Sequence, residues 1–201
     1  MIYLVRHAET EWNFQKRKQG LDDSPLTALG RSQAEGYAAS LLSLVSAEQV
    51  SQGKVRLFHS PLGRTRTTAQ YLIDALQLPA DAVIEESRLI EFDYGHWSGL
   101  TNDEIEQRYP GALEHREDDK WNYTVPGGES YADVERKVLS WLAELDSENI
   151  NIAVTHSVVS RVIRGCYLDM KTCDAGKLEH PQDTFYRLQD DAGTVIQIDS
   201  V

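Results

Sequence analysis

Apolar positions fall into short unbroken runs and into longer stretches spaced by three and four. That pattern interleaves strands buried on both faces with amphipathic helices. The first run, Ile2-Tyr3-Leu4-Val5, stops at the charged pair Arg6-His7 and reads as a buried strand ending in a polar site. Ser24-Pro25-Leu26-Thr27 is turn-like, and Ala34, Tyr37, Ala38, Leu41, Leu42 and Val45 then share one helical face. Lys54 to Phe58 supplies a second strand. Ser60-Pro61 follows as a helix start, because Ser caps and Pro sits in the first turn without losing a needed donor; Ala69, Leu72, Ile73 and Leu76 mark the buried stripe. Ala82-Val83-Ile84 is a third, shorter strand.

Leu89 to Gly99 has no clean period and reads as a loop over the sheet edge. Thr101 with Glu104 has the form of a capping box for a short helix ending near Tyr109-Pro110-Gly111. The acidic, aromatic-containing stretch from there to Pro126-Gly127-Gly128 is expected to be helical in part. Ser130 caps a helix with Tyr131, Val134, Val138, Trp141, Leu142 and Leu145 on one face, and Asn149 to Val154 is a strand ending at Thr155-His156. Val158, Val159, Val162, Ile163 and Cys166 mark another buried helix. Phe185 to Leu188 and Val195 to Ile198, around Ala192-Gly193, read as a terminal hairpin or as two strands with a short turn. The alternation predicts an α/β fold, a three-layer α/β/α sandwich with a mostly parallel central sheet. At 201 residues, against about 150 per domain and without a linker-like tract, the chain is expected to form one domain over 1–201, with a small lid or cap from about 89 to 128.

Charge narrows the partners. Twenty Lys and Arg against 32 Asp and Glu give a net charge of -12, which argues against nucleic acid and against an anionic membrane surface. A small anion is still bound wherever basic groups converge. No apolar stretch approaches the roughly 18 residues that span a bilayer, and no basic segment followed by an apolar one opens the chain, so the cytoplasm is the expected compartment. Cys166 and Cys173 are too few for a disulfide framework and match no zinc spacing; both read as ordinary thiols, Cys166 buried. Monomer and homodimer both fit.

Three predicted strand ends carry chemistry: Arg6-His7, His59 beside Ser60 and Arg64, and Thr155-His156. Ligands of open α/β sheets gather beyond the carboxyl ends of strands, so these distant positions can meet, and periodicity nominates His7, Arg64 and His156. Taken alone, each histidine is as well explained as a satisfied strand-end residue. Two imidazoles and two guanidiniums around one point would bind a phosphoryl group, since guanidinium offers several donors in a fixed fork and stays charged. A neutral imidazole can attack phosphorus if the oxygens are neutralised and the leaving oxygen is protonated. Zinc held by His7, His96, His156 and nearby acids is the rival, but no HExxH or paired-Cys spacing supports it and Arg6 repels a cation. Metal and cofactor are both expected to be none. Composition and spacing lead to an anion-binding α/β enzyme.

The segment Leu4 to Asn13, LVRHAETEWN, resembles the opening motif of the histidine phosphatase, or phosphoglycerate mutase-like, family. The likeness runs in order through Gly20, Asp23 to Thr27, Gly30, Gln33-Ala34, Ser60 to Thr65, Thr68-Ala69, Leu89, Glu91, Gly95 to Gly99, Pro126 to Ser130 and Thr155-His156. It implies a phosphoglycerate mutase-like fold and roles residue by residue. His7 matches the nucleophile that becomes phosphohistidine, and Arg6 and Arg64 match the arginines that clamp phosphate. His156 matches the second imidazole that hydrogen-bonds the phosphoryl oxygens, and Asn13 matches a further polar contact to them. Glu91 matches the carboxylate that protonates the leaving oxygen and then helps to activate water, which requires a pKa above the ordinary value near 4.3. Ala8 stands where glycine is common. Ser157 and Val158 follow His156 where glycines are common, and Ser157 is a candidate substrate contact.

The resemblance also implies that Arg17 and Gln19 lie near the pocket mouth. Gly20 and Tyr94 join them as candidate substrate contacts, and the cluster Lys16-Arg17-Lys18 is equally an ordinary solvated loop or a patch that focuses an anionic substrate. Of Trp12, Tyr94, Trp97 and Trp121, at least two are expected to be packing residues. Mutases of the family carry an adjacent basic pair over the site, whereas Arg108, Arg116 and Lys120 are scattered here among acidic residues. The resemblance therefore implies a phosphomonoester hydrolase acting on a small anionic phosphomonoester. A 2,3-bisphosphoglycerate-dependent phosphoglycerate mutase and a noncatalytic phosphate-ligand binding protein are the alternatives.

Overall fold

A computed structural model of the chain describes residues 1–190 and 192–197. In chain order the elements are β1 (Ile2–Arg6), α1 (Glu11–Phe14), α2 (Ala28–Leu44), α3 (Ala47–Ser51), β2 (Val55–His59), α4 (Gly63–Leu76) and β3 (Val83–Glu85). There follow α5 (Asn102–Arg108), α6 (Ala112–Asp118), α7 (Tyr131–Glu144), β4 (Ile150–Thr155), α8 (Ser157–Tyr167), α9 (Thr172–Ala175), β5 (Thr184–Gln189) and β6 (Ala192–Gln197). The strands form one sheet in the order β3-β2-β4-β1-β5-β6. The four strands from β3 to β1 run parallel, and β5 and β6 close the far side as antiparallel neighbours. The predicted hairpin is present; its last predicted residue, Ile198, lies outside the described residues.

Side chains alternate across β1. Ile2 and Leu4 join a core with Val134, Val138 and Trp141 of α7 and Val158, Val159, Val162 and Ile163 of α8. Tyr3 and Val5 face the other way, into a core with Tyr37 and Leu41 of α2 and Leu72 of α4. Each fully buried aliphatic or aromatic side chain of this kind contributes about 1.5–3 kcal/mol. The three layers are therefore helices, sheet and helices, as the alternation of elements predicts.

Four local expectations are corrected. Leu42 is exposed rather than on the buried face of α2. Cys166 is half-buried, with its thiol pushed up to about 11, chiefly by burial. The Ser60-Pro61 pair does not start a helix; α4 starts at Gly63 with Leu62 at its cap and no side-chain bond there. Residues 89–99 are mostly irregular, as their missing period predicts, but are packed into the interior and not laid over the sheet edge. They carry a 3₁₀ turn at Gly95–Trp97 and bury Leu89, Phe92 and Trp97 in the α7/α8 core, which releases the segment from any strand or helix period.

Candidate active site

The strand order sets β4 between β2 and β1, so the three chemical strand ends become neighbours. His7 N–H donates to Thr155 O (2.8 Å) and Ser60 N–H to Val154 O (3.1 Å), which continues the parallel ladder one residue past each strand. The rings of His7 and His156 then lie 5.2 Å apart, centre to centre. Ser60, freed from helix capping, puts its hydroxyl 2.8 Å from His156 Nε2. Both histidines are buried, and burial, Arg64 and other nearby charges hold each well below the ordinary imidazole range. His7 is neutral as a result. Its Nδ1 lies 2.8 Å from Ala8 O, a carbonyl that can only accept, so the ring proton sits on Nδ1 and Nε2 keeps its lone pair.

Arg64, on the first turn of α4, is buried and pinned by Gly20 O (2.8 Å), Asp22 O (2.6 Å) and Asp23 Oδ1 (3.1 Å). Gly20 makes this possible with φ +56°, where a Cβ would come within 3.1 Å of Tyr94 N. Arg6 Nη1 donates to His180 O (2.6 Å). Among the described residues Arg6 Nε, Arg64 Nε and His156 Nδ1 are buried with no hydrogen-bond partner, a set of polar atoms that an anion's oxygens would satisfy. Asn13 Oδ1 accepts from Thr10 N–H (3.2 Å), the Thr10 hydroxyl (3.1 Å) and Gln182 Nε2 (2.8 Å), leaving its amide nitrogen as the free end. Glu91 is buried, accepts from Phe92 N–H (2.9 Å) and is raised above the ordinary carboxylate range, chiefly by burial and against the pull of Arg64.

These groups border a cavity of about 950 Å³. Arg6, His7, Asn13, Arg64 and Glu91 line it; His156 is wholly buried next to His7 and is not on the wall. Arg17, Gln19, Gly20, Tyr94 and Ser157 also border it, but not all with free side chains. Arg17 is held by Glu104 (2.8 Å) and Gly99 O (2.6 Å). Gln19 bonds Thr10 (2.8 Å) and Ser24 (3.2 Å). Trp97 and Trp121 are core residues, and Trp12 does not reach the cavity.

Basic residues scattered in the sequence gather in space. Arg116 of α6 and Lys120 just beyond it line the cavity, joined by Arg161 of α8, while Arg108 does not border it. Arg161 escaped the sequence reading, although it lies one helical turn beyond Ser157 and so on the same face. A short stretch of backbone ties the parts together. Leu178 O accepts from Arg161 Nε, Glu179 O from Arg164 Nη2 (2.6 Å), and His180 O from Arg6. Gln182 Nε2 adds a bond to His7 O (3.2 Å). Among the described residues no group of three or more His, Cys, Asp or Glu side chains is placed to hold a metal ion.

Residues 2–197 match the model of the histidine phosphatase superfamily (branch 1). Phosphoserine phosphatase 1 of Hydrogenobacter thermophilus is 36% identical over 165 residues, 81% of this chain and 73% of that protein. The 6-phosphofructo-2-kinase/fructose-2,6-bisphosphatase 1 of Bos taurus is 32% identical over 187 residues, 93% of this chain; the chain spans 36% of the bovine protein's length. A solved mycobacterial glucosyl-3-phosphoglycerate phosphatase in complex with VO3 superposes with a TM-score of 0.75 at 25% identity, covering 92% of this chain and 88% of that one.

Proposed function

The chain belongs to the histidine phosphatase superfamily, and on that premise we propose that it hydrolyses a small phosphomonoester through a phosphohistidine formed at His7. The observation that carries this reading is the unprotonated Nε2 of His7 beside three buried donors or acceptors without protein partners, on Arg6, Arg64 and His156. Arg6, Arg64 and the Asn13 amide nitrogen take the phosphoryl oxygens, and His7 Nε2 attacks phosphorus opposite the ester oxygen. A raised pKa suits Glu91 to give its proton to the departing alcohol, and the carboxylate so formed then draws a proton from the water that cleaves the phosphoenzyme. His156, steadied by Ser60, supports the charge that develops in both transfers. Residues from about 89 to 128 act as a cap on a single 1–201 unit, contributing Tyr94, Arg116 and Lys120 to the cavity.

Arg116, Lys120 and Arg161 favour a substrate with a second anionic group. Phosphoserine, fructose 2,6-bisphosphate and glucosyl-3-phosphoglycerate, the compounds in the relatives' names, each carry one. The same cations would also retain a phosphoglycerate between transfers, which is what favours the mutase alternative; the relatives' names favour hydrolysis. A panel of these esters, assayed for phosphate release and for phosphoglycerate exchange with and without 2,3-bisphosphoglycerate, tests the proposal. Phosphate release with an acid-labile, alkali-stable phosphoenzyme is expected. Exchange stimulated by the bisphosphate would replace hydrolase by mutase, and no turnover or phosphoenzyme anywhere in the panel would leave a binding protein.

A further inference from the structure

Lys18 leaves its loop in a direction fixed by the backbone. Its N–H donates to Leu100 O (2.9 Å) and its carbonyl accepts from Gly99 N–H (2.8 Å). The side chain runs over the Tyr94 ring, with Nζ 5.7 Å from the ring centre, and borders the main cavity. Arg17 beside it is paired with Glu104, whereas among the described residues Lys18 forms no ion pair. The charges that act on it come from separate elements: Arg116 and Glu117 of α6, Lys120 just after it, and Arg161 of α8. Glu91, Asp103 of α5, and Tyr131 of α7 border the same cavity, as does Lys16 on its own loop. Burial and the three cations disfavour its ammonium, Glu117 and the face of the Tyr94 ring favour it, and the amine is pulled down to about 8.

We propose that Lys18 is the specificity-determining residue for the substrate's remote end: a second anionic group arriving among Arg116, Lys120 and Arg161 recruits the Lys18 ammonium, so that recognition of that group takes up a proton. The inference rests on the phosphatase reading, because the remote end is defined by where the phosphoryl group binds. Where Lys18 is neutral, the step is its amine taking one proton from solvent, with no other bond made or broken; where it is already charged, the anion meets the ammonium directly. An anion at that place cancels the mutual repulsion of the cations and favours the charged amine. By linkage, the anion binds best when Lys18 is already protonated and loses affinity as pH rises through about 8. The protonated fraction falls from about nine-tenths to about one-tenth between pH 7 and 9, and the remote-end contribution falls about tenfold with it.

The test uses two inhibitors of the full chain from pH 7 to 9.5: methylphosphonate, with one anionic group, and 3-phosphonopropionate, with two. Their ratio of inhibition constants cancels the ionisation of the phosphonate. The preference for 3-phosphonopropionate is expected to drop about tenfold between pH 7 and 9. Lys18→Met should lower it at pH 7 and flatten its pH dependence; Lys18→Arg should keep it high up to pH 9, and carries the test alone if the methionine variant does not fold. A flat ratio in the unaltered protein, or a fall that survives in Lys18→Met, overturns the inference while methylphosphonate inhibition leaves the phosphoryl site standing. Inhibition by neither compound overturns both.

Discussion

Glu91→Gln separates proton donation from every other task of the site. The amide has the shape of the acid and keeps an oxygen for the Phe92 N–H, so the local backbone has no reason to move. The other carboxyl groups on the cavity wall, Asp103 and Glu117, are carried by α5 and α6, His156 is held neutral, and the Lys18 amine is assigned above to the remote end, which leaves Glu91 as the donor on this reading. General acid catalysis is worth about 10²–10⁴ in rate, or ~3–5 kcal/mol. With no substitute donor we expect the loss in kcat/KM to reach about 10³ for an alkyl phosphate, whose leaving oxygen needs the proton. For p-nitrophenyl phosphate, whose phenolate leaves unaided, it should stay under about tenfold. Rates over a series of aryl and alkyl phosphates give the dependence directly: steep on leaving-group basicity for the variant, shallow for the unaltered protein. The same substitution should stabilise the fold. A carboxyl group raised by burial destabilises the folded state as pH climbs from its unfolded value through its folded one, and glutamine has no such loss. The variant's advantage in Tm should therefore grow from pH 5 to pH 8. An equal rate loss across the series, or melting curves with the same pH dependence, would refute the assignment of Glu91 as a buried acid.

Replacing His7 with Ala should abolish phosphoenzyme formation and lower turnover by at least about 10⁴-fold, with an unchanged circular dichroism spectrum; full turnover would remove His7 as the nucleophile. Arg161→Met should raise KM about 10- to 100-fold for phosphoserine and fructose 2,6-bisphosphate and much less for phenyl phosphate, the loss of a charged hydrogen bond being worth ~1.5–3 kcal/mol; equal effects on both classes would count against a second-anion subsite. Gly95→Ala should destabilise the fold by ~3 kcal/mol, a fall in Tm of roughly 6–12 °C, because φ is +46° and the new Cβ would lie 2.4 Å from Gly128 N and Pro126 O. A Tm within about 2 °C of the parent would mean that this close approach is not made.

The sequence made β1 legible as an unbroken apolar run ended by Arg6-His7, and β4 as a mostly apolar run, broken only by Asn151, that leads into Thr155-His156; those two endings are where the chemistry sits. α7 was legible from Ser130 and the spacing of Val134, Val138 and Trp141, all of which are buried. Strand order was not, because nothing local to β2 or β4 says that they pair. Without that pairing, Ser60 reads as a helix cap, its commonest local use, when its hydroxyl is spent on a histidine 96 positions away. The segment around Phe92 and Trp97 failed for a related reason: its burial is set by α7 and α8, which the period of its own residues does not register. Arg116 and Lys120 read as scattered surface charges because their meeting with Arg161 across the cavity depends on tertiary placement of α6 and α8.

The stretch Leu178 to Gln182 has a consequence for selectivity. It holds Arg6 and Arg161, both on the cavity wall, through carbonyls two residues apart, so the gap between those guanidiniums is set by peptide geometry and not by the sway of two long side chains. On the reading given above, the protein works as a calliper with riveted jaws: it measures how far apart a molecule's two negative ends stand, and is comparatively indifferent to the carbon skeleton between them.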